Sequence, residues 1–160
     1  VVSYYLDPAL TQPYTGIIYT KFGGKIESEA AYIDGLMNGL EYVYNEEEEL
    51  IQLTECRGNV HFGVSKEFEN EKLSLVCINY NGSLVKVVYL GENQEIVSTE
   101  KYYYDVTKGD EVPQGYSALT RISYEELPQY IQLLLELSDQ ELVDYEFQEE
   151  NPYLRPPYTK

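Results

Sequence analysis

What most limits the folds open to this chain is a period. With Ile26, Leu50, Leu73 and Ile96 set in one column, the steps between them are 24, 23 and 23 residues. A nearly constant step of this size means one small supersecondary unit used several times, each unable to bury its apolar face alone and each completed by its neighbour. The flanking residues keep the column. Gly16, Gly39 and Gly63 stand ten or eleven residues before the first three anchors, and Tyr32, Cys56, Asn79 and Tyr102 stand six after the four. Gly35 and Gly82 stand nine after the first and third.

Each unit reads as two short extended runs: 15–22 and 25–33, 40–44 and 50–56, 64–68 and 73–80, 85–90 and 95–104. β-Branched and aromatic residues dominate them. The junctions carry turn formers, Gly23-Gly24, residues 45–49, Asn70-Glu71 and 91–93, so each unit is most simply an antiparallel hairpin. The fourth unit is degenerate, with Lys86 where the repeat glycine belongs.

After Tyr104 the column stops, and the turn formers Lys108-Gly109-Asp110 and Pro113-Gln114-Gly115 place a boundary near residue 107. Ser123 followed by Glu125 and Glu126 is a helix start, and Leu127, Tyr130, Ile131, Leu134, Leu135 and Leu137 recur at helical spacing. The pattern predicts a helix over 124–137, with Pro128 in or just after its first turn and its apolar stripe on the sheet. Ser138-Asp139-Gln140-Glu141 has capping-box spacing and predicts a second, short helix. Three prolines in residues 151–160 favour an extended strap or tail, whose tyrosines need a surface to rest on if it is ordered. The chain thus divides into a lead-in (1–11), a hairpin array (12–106), and a helical segment with a Pro-rich tail (107–160).

Charge narrows the partners. The formal net charge is -17, of which residues 1–109 carry -9, so the acidity is not a detachable tail. Such an excess repels nucleic acid and anionic membrane and attracts basic protein surfaces. No run approaches the roughly 18 apolar residues of a membrane span, and no basic-then-apolar leader opens the chain. The numbering starts at Val1 without Met, which leaves room for a segment upstream.

Catalytic and metal signals are weak. The two cysteines, Cys56 and Cys77, are too few for a disulfide scaffold and lack the paired Cys or His partners of a zinc site in sequence, so they read as free structural thiols. His61 is the only histidine, and nothing in the spacing joins it to a nucleophile. Residues 46–49 are all Glu but lack the alternating ligands and mid-loop glycine of a calcium loop. No catalytic residue, metal or cofactor is expected.

The pattern Tyr14-x-Gly16-x-x-Tyr19-x-x-Phe22-x-Gly24-x-Ile26-x-x-Glu29-x-x-Tyr32-x-x-Gly35-x-x-x-Gly39 resembles the MORN-repeat variant family of bacterial antitoxin and immunity proteins, over roughly residues 12–104. The resemblance implies a mainly β fold: an elongated, twisted antiparallel sheet of MORN-like hairpins, with the C-terminal helix packed on it. It also implies a protein that neutralises a cognate toxin by binding and occlusion. With the charge, it suggests a basic, nuclease-type toxin, met in the bacterial cytoplasm, or in the periplasm or envelope if a leader has been removed. The rival expectation is a MORN-repeat scaffold or adaptor that binds a protein without inhibiting it. The chain departs from the family in replacing the usual Asn-Gly turn of its second unit by Asn45 and four glutamates.

The candidate partner-binding residues are Glu46, Glu47, Glu48 and Glu49 at that tip, with Glu67, Glu69 and Glu71 on the third hairpin. Tyr103 joins them, because three consecutive strand tyrosines, 102–104, cannot all face a one-sided core.

Overall fold

A computed structural model describes residues 4, 6, 9, 11–114 and 118–158. Most of the expected lead-in and the Gly115 end of the expected 113–115 turn lie outside them. Eight strands form one antiparallel sheet in chain order: β1 (Gly16–Phe22), β2 (Lys25–Ile33), β3 (Leu36–Tyr44), β4 (Leu50–Arg57), β5 (Val60–Glu69), β6 (Lys72–Tyr80), β7 (Ser83–Leu90) and β8 (Ile96–Lys101).

The meander is continuous because its turns are tight. Gly23-Gly24, Asp34-Gly35, Gly58-Asn59, Asn70-Glu71 and Asn81-Gly82 each have positive φ at both residues, the twist-matched geometry of a two-residue hairpin turn. Two loops are longer and share one design. In 45–49 and in 91–95 the first residue bonds the fifth, Asn45 N to Glu49 O and Gly91 N to Glu95 O, and the fourth (Glu48, Gln94) takes positive φ.

The period has a physical meaning: it places bulges. In each hairpin the residue after the column anchor, Glu27, Ile51, Ser74 or Val97, is an extra residue skipped by the register. Between units the ladder shifts again. Ala30↔Glu41 is followed by Tyr32↔Met37, and Thr54↔Ser65 by Cys56↔His61, so residues 38–40 face only Ala31 and residues 62–64 face only Glu55. Gly39 (φ +120°) and Gly63 (φ +106°) sit at the centres of these wide bulges. Where Lys86 replaces the glycine, the bulge shrinks to the single residue Val85. Bulges bend the bulged strand and increase its twist, and here they recur with the repeat.

The chain after β8 caps one face. Its helices are α1 (Gln129–Glu136) and α2 (Asp139–Val143), with 3-10 turns at Val106–Lys108, Tyr124–Glu126 and Pro152–Leu154. The helix expected over 124–137 is therefore shorter. Ser123 and Glu126 close a capping box on a 3-10 turn, Leu127 and Pro128 are extended (ψ 145° each), and α1 begins only at Gln129. Proline has no N–H to donate and disfavours the helical region for the residue before it, so the helix starts after Pro128. The second helix forms as its capping box predicts, Ser138 Oγ accepting from Glu141 N at 3.1 Å.

Phe62, Val64, Val76, Ile78, Val85 and Val88 of the sheet pack with Leu127, Tyr130, Ile131, Leu134, Leu142 and Leu154 of the cap in one core. α1 lies on β5 and β6, α2 on β8, and the Pro152–Leu154 turn on β4. Lys66 of β5 reaches up and donates to the Val143 and Tyr145 carbonyls at 2.7 and 2.8 Å, holding the end of α2. The Pro-rich segment is an ordered strap: Tyr153 stacks on Tyr130 at 4.7 Å, and Arg57 lies between the rings of Phe62 and Tyr158. The cap stops short of β1, where Ile17 and Tyr19 remain about half exposed.

Candidate functional site

In an antiparallel meander alternate turns fall on opposite long edges of the sheet, and this sorts the charge. One edge carries turns 23–24, 45–49, 70–71 and 91–95; the other carries 34–35, 58–59 and 81–82. The first edge holds Glu46, Glu47, Glu48, Glu49, Glu71, Glu92 and Glu95, and the turns of the second hold only Asp34. Glu67 and Glu69 are exposed near the top of β5, two residues apart on one strand face, and lead into the same edge. The seven carboxylates expected to meet a partner are thus brought to one side, and Glu92 and Glu95, missed in the sequence, join them. Glu49 is half-buried and accepts from Asn45 Nδ2 at 3.1 Å, while Glu46, Glu47 and Glu48 are exposed. Two lysines tie neighbouring tips by their backbones: Lys25 donates to the Glu46 carbonyl at 2.6 Å and Lys72 to that of Glu92 at 3.3 Å.

Tyr103 is a correction. It is only 4% exposed and belongs to the core. The alternation that would have turned a tyrosine outward requires the strand to continue, but β8 ends at Lys101. Tyr103 instead makes an isolated bridge to Leu119 and donates its hydroxyl to the Ile122 carbonyl at 3.1 Å. The exposed aromatic on the acidic edge is Phe22, 76% exposed beside the Gly23-Gly24 turn. Next to it, on the uncapped part of the sheet, Ile17, Tyr19, Glu29, Leu40, Tyr42 and the strap residues Glu149 and Arg155 line a groove.

A second group of polar residues lies beneath the cap. Glu55 of β4 is fully buried and accepts from Val64 N at 2.7 Å, Tyr130 Oη at 2.7 Å, Tyr145 Oη at 2.7 Å and Asn151 Nδ2 at 3.1 Å. The Tyr130 and Tyr145 hydroxyls also contact each other. Glu55, Tyr130 and Tyr145 therefore close a ring of three oxygen–oxygen contacts beneath the cap. Burial pushes the Glu55 carboxyl above its ordinary value, against the hydrogen bonds that pull it down. Gly63 makes room for this ring: a Cβ there would lie 2.5 Å from Glu55 Oε1 and 2.9 Å from Tyr130 Cε2. The available sequence signal was a charge out of place, since the same repeat position holds Ala31 and Ile78 in neighbouring units.

On the opposite face the register assembles a third group. Cys56 and Cys77 are both free and buried. Ligand atoms of Glu41 (β3), Cys56 (β4) and His61 (β5) lie within 4.8 Å of one another, and His61 Nε2 stands 3.7 Å from Glu41 Oε1. Cys56 thus has, across strands, the His and carboxylate neighbours that its sequence spacing lacked. Its thiol is pushed well above the ordinary value, first by burial and then by the Glu41 and Glu55 carboxylates.

Fold and sites together define a class, a single-sheet antiparallel meander with a one-sided helical cap strapped down by its own C-terminal segment, one acidic long edge and a buried carboxyl at the seam. No family model, curated protein or solved structure matches the chain. No helix among the described residues is long and apolar enough to cross a membrane, which says nothing of strand-built spans.

Proposed function

We propose that this chain is a non-catalytic binding protein that captures a basic protein on its acidic edge. Its role, on the MORN-like resemblance of its hairpins, is that of an immunity or antitoxin protein occluding a cognate toxin. The observation that carries the reading is the one-sided placement of the glutamates at 46–49, 71, 92 and 95 along one row of turns. Successive tips are two strands apart, about 10 Å, so a basic group seated between two of them stands about 5 Å from each, inside the screening length of about 8 Å at physiological salt. A strand-built rail needs little ordering on binding, and opposite charge accelerates encounter with a lethal enzyme. Phe22, exposed on the same edge, supplies the apolar anchor that charge alone does not provide.

The test expresses each neighbouring reading frame alone and together with this chain. A frame that arrests growth alone, and is tolerated only with this chain, identifies the toxin. Replacing Glu46, Glu47, Glu48 and Glu49 by Gln then lowers the association rate by about tenfold or more, with the effect shrinking as salt rises. Phe22→Ala acts on the dissociation rate instead. If no adjacent product is toxic alone and rescued, the immunity reading fails, and a partner bound without loss of its activity makes the chain an adaptor.

A further inference from the structure

The geometry points to a divalent transition-metal site of the Zn²⁺ class on the uncapped face, with Glu41, Cys56 and His61 as its three protein ligands. It stands apart from the acidic edge and from the partner proposed for it.

The site follows from register. His61 is directly across from Cys56 in the β4–β5 ladder, and Glu41 is directly across from Thr54, two residues before Cys56 on the same strand. Opposed residues share a face, as do residues two apart along a strand, so all four look to one side. Glu55, between Thr54 and Cys56, points to the other side, into the cap. The donors form a thiolate–imidazole–carboxylate set, which suits Zn²⁺ far better than Ca²⁺ or Mg²⁺. Tetrahedral coordination at ordinary bond lengths separates such donors by about 3.3–3.6 Å. Glu41 and His61 are already at 3.7 Å, longer than a hydrogen bond, and the whole set lies within 4.8 Å. Closure therefore asks about an ångström of side-chain rotation, and His61 and Glu41 have the freedom for it, with side chains 43% and 21% exposed.

A second observation lies beside the ligands on the same face. The Thr54 hydroxyl is buried with no hydrogen-bond partner, in a residue 0% exposed. Buried polar groups are nearly always paired, and an orphan asks for a water or an ion. Thr54 stands opposite Glu41 on the face of the ligands, where it would bond a water filling the fourth coordination position. Binding exchanges the Cys56 S–H bond for an S–metal bond and releases that proton to solvent. The thiolate and Glu41 then balance the two charges of the ion.

The experiment titrates the intact chain, purified metal-free and reduced, with CoCl₂ and then ZnCl₂. Excess MgCl₂ is present throughout to occupy oxygen-only sites on the acidic surface. The expected result is one Co²⁺ per chain, with the near-ultraviolet charge-transfer band of a cobalt–thiolate bond and the strong visible bands of four-coordination, both erased by stoichiometric Zn²⁺. Cys56→Ser abolishes the charge-transfer band. Because Cys56 is buried and that variant can fail to fold, His61→Ala and Glu41→Gln provide the second test, each weakening binding at least tenfold. No binding at micromolar metal overturns the inference. So does binding without the thiolate band, or binding left unchanged by His61→Ala and Glu41→Gln.

Discussion

Ala31 and Glu55 occupy the same position of the repeat, on neighbouring hairpins, and meet opposite surroundings. Ala31 lines a solvent-open groove on the uncapped end of the sheet. Glu55 lies under the cap at the centre of four donors. The wide bulges around them are alike, with Gly39 opposite Ala31 and Gly63 opposite Glu55. A Cβ on Gly39 would meet only the Ala31 Cβ at 3.0 Å, whereas one on Gly63 would strike Glu55 and Tyr130. The repeat therefore sets the backbone of both halves, and the cap decides what each equivalent side chain is worth.

The largest expected contrast is between Glu55→Ala and Ala31→Glu. Removing Glu55 leaves Val64 N, two tyrosine hydroxyls and the Asn151 amide without their acceptor in a buried site. It should cost about 3–5 kcal/mol in urea unfolding. Ala31→Glu places its charge at the groove and should cost less than about 1 kcal/mol. Comparable losses in the two variants would break the distinction between the halves.

Next come the glycines. Gly39→Ala and Gly63→Ala share the left-handed backbone penalty, of about 1–2 kcal/mol. Gly63→Ala adds a collision with Glu55 and Tyr130, so it should lose about 2 kcal/mol more than its partner. Equal values would mean that the Glu55 ring moves aside without cost.

The smallest effect is the pH dependence. Glu55 is held above the ordinary glutamate value, so the folded protein binds its proton more tightly than the unfolded chain does. That contribution is fully present below the ordinary value and is lost as pH rises through the folded one. The slope is limited to one proton, about 1.4 kcal/mol per pH unit. The difference between wild type and Glu55→Gln should therefore narrow with rising pH. A difference that widens would show that the four hydrogen bonds outweigh burial and keep Glu55 ionised beneath the cap.

Much of this architecture was legible because it is local. Two-residue turns announce themselves through Gly and Asn at positive φ, and α2 through the capping box of Ser138 and Glu141. Errors arose where a local rule met a break it could not see. Alternation past Lys101 put Tyr103 outside, although the strand had ended. Helical spacing from Tyr124 ran through Leu127 and Pro128, where the backbone is extended. Of the candidate partner-binding residues, the glutamates could be named one by one, but their common edge needed the order of the turns.

By itself the sequence determined the strand period, the turn chemistry and the sign of the surface, because each depends on residues within one hairpin. Only the tertiary structure decided that Glu55 is buried among four donors, that Glu41 and His61 stand beside Cys56, and which half of the sheet stays open. Those outcomes depend on register across bulged strands and on where a distant segment lands: Tyr130, Tyr145 and Asn151 reach Glu55 from 75, 90 and 96 residues away. Contacts at such separations leave no periodic trace in a single chain, because the partners are chosen by packing and not by neighbouring sequence.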